Sequence, residues 1–183
     1  MNIRLAISGS AGTGKTALGK ALASRLGLPF IEENMRERIA SGLRLDQLRP
    51  SELADLLSEV WDEQRAAEDA AGSSFVADRS AYDYIAFWLQ YGLHHDEPRT
   101  DEWIARMREE GARYDRILVL PWGVLPLEDD GIRSTNRWIQ FHYQALLENT
   151  LRRFARRGQV LGIPGEETLE QRVEFALRFM PVD

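Results

Sequence analysis

With 183 residues, 44% hydrophobic and 28% charged, the chain is long enough to fold as one domain around its own core, and 29 acidic against 23 basic residues leave a formal charge of −6. That balance argues against nucleic acid as the main partner, although it leaves room for a local basic patch. The lack of cysteine excludes disulfides and thiolate metal sites, and no apolar run approaches the ~20 residues of a membrane span, so a cytoplasmic location without a membrane partner is expected.

The first predicted element is a short apolar strand, Ile3–Ser8, followed by Gly9-Ser10-Ala11-Gly12-Thr13-Gly14-Lys15-Thr16 and a helix over Thr16–Leu26. The eight residues match the phosphate-loop pattern G-x-x-x-x-G-K-[ST] at every constrained position. Glycines let the backbone aim several N–H groups at phosphate oxygens, Lys15 adds a point charge for the β- and γ-phosphates, and the Thr16 hydroxyl is a hard oxygen ligand suited to Mg²⁺. The helix behind the loop points its positive end at the same place. A nucleoside triphosphate, with ATP and Mg²⁺ as the expected pair, is therefore the first ligand to consider.

A second strand is predicted over Pro29–Glu32, closed by Glu33, with Arg36 three residues on. Glu33 has two readings, as general base toward an acceptor hydroxyl or as a weak surface ion pair at a helix start. Alternation turns Glu32 to the opposite face. A long helical stretch over Met35–Gly72 follows, with Ser51-Glu52-Leu53 as a start after Pro50. The third strand, Ser74–Ala77, delivers Asp78 and Arg79. Asp78 suits Mg²⁺ or its waters, or the proton of an attacking hydroxyl, and Arg79 suits a transferring phosphoryl group. The competing reading is a helix N-cap at Asp78, or at Ser80 with Asp83 three residues later.

Helices are predicted over Asp78–Gly92 and Glu97–Gly111, then a fourth strand over Arg116–Leu120. Tyr82, Tyr84, Phe87, Trp88 and Tyr91 read as core, or as contacts for an acceptor ring. Tryptophans at helical positions read as core, with Trp122 excepted because it follows a strand at the ligand end. The polar, glycine-bearing stretch near 122–137 reads as a lid-like segment that can bring Arg133 and Arg137 to the phosphates, the competing reading of the two arginines being a solvated helix start, and its acidic trio Glu128-Asp129-Asp130 reads as helix or turn chemistry. Leu120-Pro121-Trp122-Gly123 stands where an N-K-x-D guanine reader would lie, which favours ATP. The last elements are a helix over Thr135–Arg157, a strand over Gln159–Ile163 and a helix over Glu166–Met180. Arg152-Arg153/Arg156-Arg157 reads as a solvated helix face, and Ile163-Pro164-Gly165 is placed to line the nucleotide base. Five strands alternating with helices predict a single α/β domain over 1–183, a five-stranded parallel sheet with helices on both faces.

These residues resemble the P-loop kinases built like nucleoside monophosphate kinases, and within them the AAA-type ATPase/kinase family that includes the ribosylnicotinamide kinase domain. The resemblance rests on Gly9–Thr16, Glu33-Asn-Met-Arg36, Asp78-Arg79 and Asp130-Gly-Ile-Arg133-Ser134. Asp78-Arg79-Ser80 also resembles the E-R-S motif of deoxynucleoside kinases, with the shorter aspartate in place of glutamate. The resemblance implies an ATP-dependent phosphotransferase for a nucleoside, nucleotide or similar small molecule. In that reading Lys15, Glu33, Asp78, Arg79, Arg133 and Arg137 act on the reaction, and Thr16 and Asp78 organise the metal. A nucleotide-binding regulatory ATPase or GTPase, with no small-molecule acceptor, uses the same loop and is the alternative.

Overall fold

Leu5, Ala6 and Ile7 have no exposed surface because β1 (Arg4–Ser8) runs through the middle of a parallel sheet, with neighbours on both edges and helices on both faces. The computed structural model describes residues 2–126, 136–165 and 167–180, the side chain of Arg36 excepted. Its five strands, β1, β2 (Phe30–Ile31), β3 (Phe75–Asp78), β4 (Arg116–Val119) and β5 (Val160–Gly162), lie in the order β2-β3-β1-β4-β5, all parallel. Each overlaps its expected span and ends within a residue or two of it.

Alternation along the strands sorts the core into two layers. Leu5, Ile7, Val76 and Leu118 meet α1 (Lys15–Leu26) and α7 (Leu169–Arg178) on one face. Ala6, Phe75, Ala77 and Ile117 meet α3 (Pro50–Ala71), α4 (Ala81–Gln90), α5 (Glu97–Gly111) and α6 (Arg137–Phe154) on the other. The predicted single-domain α/β sheet with both faces covered is what forms. Among the described residues, no helix is long and apolar enough to cross a membrane.

The helical stretch over Met35–Gly72 has a fresh start after its break, as the Pro50-Ser51-Glu52-Leu53 signal predicts: α2 (Met35–Ala40) stops, a short 3₁₀ turn follows over Leu45–Gln47, and α3 begins at Pro50. Proline holds the preceding Arg49 extended, at φ −66° and ψ 155°, so a helix cannot run through it, while the Glu52 carboxylate takes the Arg49 N–H at 2.8 Å and restarts one. Trp61, Trp88 and Trp103 are buried together as expected, with centroids 5.0 Å apart for Trp61 and Trp103 and 4.2 Å for Trp88 and Trp103. Trp138 is not core: it is 59% exposed in the first turn of α6, ahead of that helix's first buried residue, Gln140, with Trp122 and Phe141 as its ring neighbours.

Candidate nucleotide and phosphoryl-transfer site

β1 ends at Ser8, and the chain turns through Gly9–Gly14 into the first turn of α1. Gly12 at φ 76° and Gly14 at φ 90° occupy the left-handed region that residues with a Cβ rarely adopt. Among the described residues, no acceptor takes the N–H groups of Gly12, Thr13, Gly14, Lys15 or Thr16. Their donors converge at a helix N-terminus, the arrangement that holds anions. Lys15 folds back with Nζ donating to the Ser10 carbonyl at 2.8 Å. Burial, followed by the charge of Arg79, lowers its pKa to about 8, against the pull of Asp78, Asp83 and Glu33.

Asp78 closes β3 beside β1, in register with Ile7. Its Oδ2 accepts the Thr16 hydroxyl at 2.5 Å, whereas its buried Oδ1 has no hydrogen-bond partner. A hydroxyl and a half-used buried carboxylate side by side fit Mg²⁺, which takes one or two protein oxygens and completes its shell with phosphates and water. Among the described residues, no group of three or more His, Cys, Asp or Glu side chains stands ready for a metal, so an all-protein cage is not what this site offers.

The capping reading for this segment falls to Ser80: Asp83 Oδ2 takes the Ser80 N–H at 3.0 Å and its hydroxyl at 2.9 Å. Asp83 has no exposed surface and also accepts Ser8 Oγ at 2.5 Å and Tyr143 OH at 2.8 Å, so one carboxylate ties β1, α4 and α6 together under the phosphate loop. Asp78 is thereby left outside the cap.

Arg79 is the one non-glycine residue with positive φ among those described, at 91°, a conformation that costs ~1–3 kcal/mol unless the surroundings impose it. Its N–H donates to the Ile7 carbonyl at 2.9 Å, and its carbonyl accepts Gln64 Nε2 at 3.1 Å. The guanidinium carbon lies 4.7 Å from the Phe87 ring centroid and 5.9 Å from that of Tyr143. Arg79 Nη1 reaches Asp83 Oδ1 at 3.3 Å. Glu33 Oε2 lies 3.5 Å from Arg79 Nε, close enough for charge attraction but outside hydrogen-bond geometry, so Nε remains without an acceptor. Glu33, on the turn after β2, therefore turns its carboxylate toward Arg79. Glu32 faces away and meets Lys20 at 3.1 Å on the surface, as alternation requires.

Of the aromatic helix, Tyr82, Tyr84 and Trp88 are core, while Phe87 backs Arg79 and Tyr91 is 38% exposed. Arg137 is exposed, its guanidinium 4.8 Å from the Trp138 ring centroid. Arg133, the Glu128-Asp129-Asp130 trio and the whole Asp130–Ser134 element lie outside the described residues. Before that gap the β4–α6 connection crosses the loop: a Cβ at Gly14 would meet Leu125 Cδ1 at 3.4 Å. Trp122 sits there with Phe141, 5.1 Å between centroids.

Three further groups carried no sequence signal that reaches the loop. Gln144 Oε1 accepts the Ser10 N–H at 2.8 Å and Gln140 Oε1 accepts the Ala11 N–H at 3.2 Å, both from α6. Arg172 of α7, 5% exposed, donates to the Thr13 carbonyl at 3.3 Å and the Gly165 carbonyl at 2.7 Å. Gly165, expected near the base, is thus tied to the loop. The spacing of Gln140 and Gln144 on one helical face is the only hint that was legible.

A parallel sheet ordered β2-β3-β1-β4-β5, with a phosphate loop at the carboxyl end of its central strand, defines a P-loop nucleotide-binding protein. The chain belongs to the AAA domain family, which matches residues 4–172. No curated protein matches it. Among solved structures, a NadR protein in complex with NR is 24% identical, with a TM-score of 0.68 over 96% of this chain and 49% of that one. A NadR protein in complex with NAD and AMP-PNP is 22% identical, with a TM-score of 0.68 over 98% and 50%. The deoxyadenosine kinase of M. mycoides, with dCMP and a flexible dCDP bound, is 13% identical, with a TM-score of 0.65 over 95% and 96%. The chain spans about half the length of the NadR proteins, and the shared property is the kinase-like P-loop fold.

Proposed function

We propose that this chain is an ATP-dependent kinase for a nucleoside, nucleotide or similar small hydroxyl acceptor. The observation that carries the reading is the separation of the two acids at the strand ends. Asp78 is engaged with Thr16 on the loop side, and Glu33 stands with Arg79 on the cleft side. The second pair places a base and a cation where an attacking hydroxyl would approach the γ-phosphate.

Gly9–Thr16 hold the triphosphate through the unused N–H groups, with Lys15 leaving the Ser10 carbonyl for the β- and γ-phosphates. Thr16 and Asp78 would hold Mg²⁺, which neutralises phosphate charge when bound. Glu33 takes the proton of the acceptor hydroxyl as its oxygen attacks the γ-phosphorus, and the bond to the bridging oxygen breaks to release ADP. Arg79, lying over the Phe87 and Tyr143 rings and carrying an Nε without an acceptor, stabilises charge on the transferring group. Arg137, at the start of α6, and Arg133 complete the set of cations that this reading assigns to the phosphates. The fold shared with a deoxyadenosine kinase and with NadR proteins supports a nucleoside-like acceptor.

The test is a coupled Mg²⁺-ATP turnover assay with a panel of nucleosides, nucleoside monophosphates and ribosylnicotinamide, using Lys15→Ala as the blank. Turnover that rises many-fold with one acceptor is expected. Glu33→Gln then lowers kcat by ~10²–10⁴-fold while ATP affinity stays unchanged. Tight ATP binding with slow, acceptor-independent hydrolysis sinks the kinase reading in favour of a regulatory module.

A further inference from the structure

The arginines at the end of α6 do not merely face solvent. Arg152, Arg156 and Arg157 line a cavity of about 460 Å³ between α6 and β5, together with Leu151, Val160 and Gly162. Elsewhere in this acidic chain Arg25, Arg38, Arg65, Arg99 and Arg113 each hold a carboxylate. Among the described residues none pairs with the three cavity arginines: Arg152 bonds Asn149 at 2.8 Å and Arg156 the Tyr114 carbonyl at 2.9 Å. Glu148, the one carboxylate lining the cavity, takes Gln144 Nε2 at 2.7 Å.

The cavity adjoins an edge of the sheet. Among the described residues β5 pairs with β4 alone, and Ile117 N–H donates to the Gln159 carbonyl while Ile163 N–H donates to the Val119 carbonyl, each at 2.8 Å. In a parallel ladder of that register, the N–H and C=O of Val160 and Gly162 point outward, away from β4. Val160 is 38% exposed, and a Cβ placed on Gly162 would meet nothing within 4 Å. The α6-side face of β5 is therefore uncovered, apolar at Val160, shallow at Gly162 and rimmed by cations. An unpaired edge is a template for another strand.

We propose that the groove between α6 and β5 is a docking site for an extended acidic segment of a partner protein, which adds to β5 as a strand. Its backbone bonds Val160 and Gly162, a β-branched apolar side chain seats against Val160, and flanking carboxylates reach Arg152 and Arg157. Strand pairing supplies the register, and the arginines select charge.

The test is selection of a random dodecapeptide display library on the full chain, with counter-selection on the Arg152→Glu/Arg157→Glu double variant. Recovered peptides are expected to alternate acidic and β-branched residues. They should bind by fluorescence anisotropy and slow hydrogen exchange at Val160 and Gly162. A central proline in the peptide, or Val160→Asp in the protein, weakens binding about tenfold or more. Val160→Asp alters an exposed side chain and serves as the second variant if the arginine variant loses its fold by circular dichroism. No enrichment over the counter-selected variant overturns the proposal, and so does indifference to the proline. A single-stranded oligonucleotide that displaces the peptides overturns it in favour of a nucleic-acid patch, and concentration-dependent self-association through this edge overturns it in favour of a second copy.

Discussion

Lys15 is a buried cation whose burial, with the charge of Arg79 beside it, outweighs the pull of Asp78, Asp83 and Glu33, and its proton is correspondingly loose. With its pKa lowered to about 8 from 10.5, the folded chain sheds this proton before the unfolded chain does. The lysine therefore weakens the ligand-free fold below pH 8, and that cost is relieved as pH rises through about 8 to 10.5. Lys15→Met should stabilise the ligand-free protein at neutral pH by ~1–3 kcal/mol in urea melts while abolishing nucleotide binding. Phosphate oxygens favour the charged amine, so nucleotide binding just above pH 8 should take up protons. Calorimetry in buffers of different ionisation enthalpy will show this, and the uptake should fade as the working pH is taken well below about 8, where the amine is already charged before binding. Glu68 carries the opposite sign. Burial raises its carboxyl to about 7 even though Tyr114 OH at 2.7 Å and Gln64 at 3.2 Å donate to it. The folded chain keeps that proton after the unfolded chain has lost it, so stability falls as pH rises from 4.5 to about 7. Glu68→Gln should flatten that slope in a thermal melt series, and an unchanged slope refutes the assignment.

At the scale of elements, helices are placed by close contacts that propensity alone would misjudge. Gly111, the last residue of α5, lies under Tyr82, and a Cβ there would come within 2.7–2.8 Å of the ring. Tyr82 is 1% exposed and cannot swing away. Gly111→Ala should therefore destabilise by ~1–3 kcal/mol through overpacking, although helix propensity alone predicts a gain of up to ~1 kcal/mol. Denaturant midpoints decide between the two signs. α7 is capped by the Thr168/Gln171 box and delivers Arg172 to the loop. Arg172→Ala should cost ~2 kcal/mol of stability and about tenfold in ATP affinity. Arg172→Lys should not rescue it, because a single ammonium cannot fork between the Thr13 and Gly165 carbonyls.

At the scale of the whole molecule, the nucleotide site gathers β1, α1, β3, α6 and α7, so ligand binding should stabilise the chain as a unit. Mg²⁺-ATP at a hundredfold excess over Kd should add ~2.7 kcal/mol and raise Tm by about 5–10 °C, with no shift for Lys15→Ala. The five strand runs and the phosphate loop were legible in sequence because both are local: alternating apolar runs, a fixed glycine spacing and a following helix need no distant partner to be recognised, whereas the order β2-β3-β1-β4-β5 in the sheet came only with the fold. The position of Glu33, Asp78 and Arg79 at the ends of β2 and β3 was legible because the carboxyl ends of parallel strands converge by topology. Long-range packing alone decided the rest. Asp83 joins Ser8 to Tyr143, Gln140 and Gln144 satisfy Ser10 and Ala11, and Arg172 clamps Thr13, contacts between residues from 60 to 159 positions apart that no periodicity encodes. Trp138 left the core, and Arg152, Arg156 and Arg157 came to line a cavity, for the same reason. Which face of a helix is covered depends on where its neighbours stop, and only the folded arrangement of α4, α6 and β5 determines that.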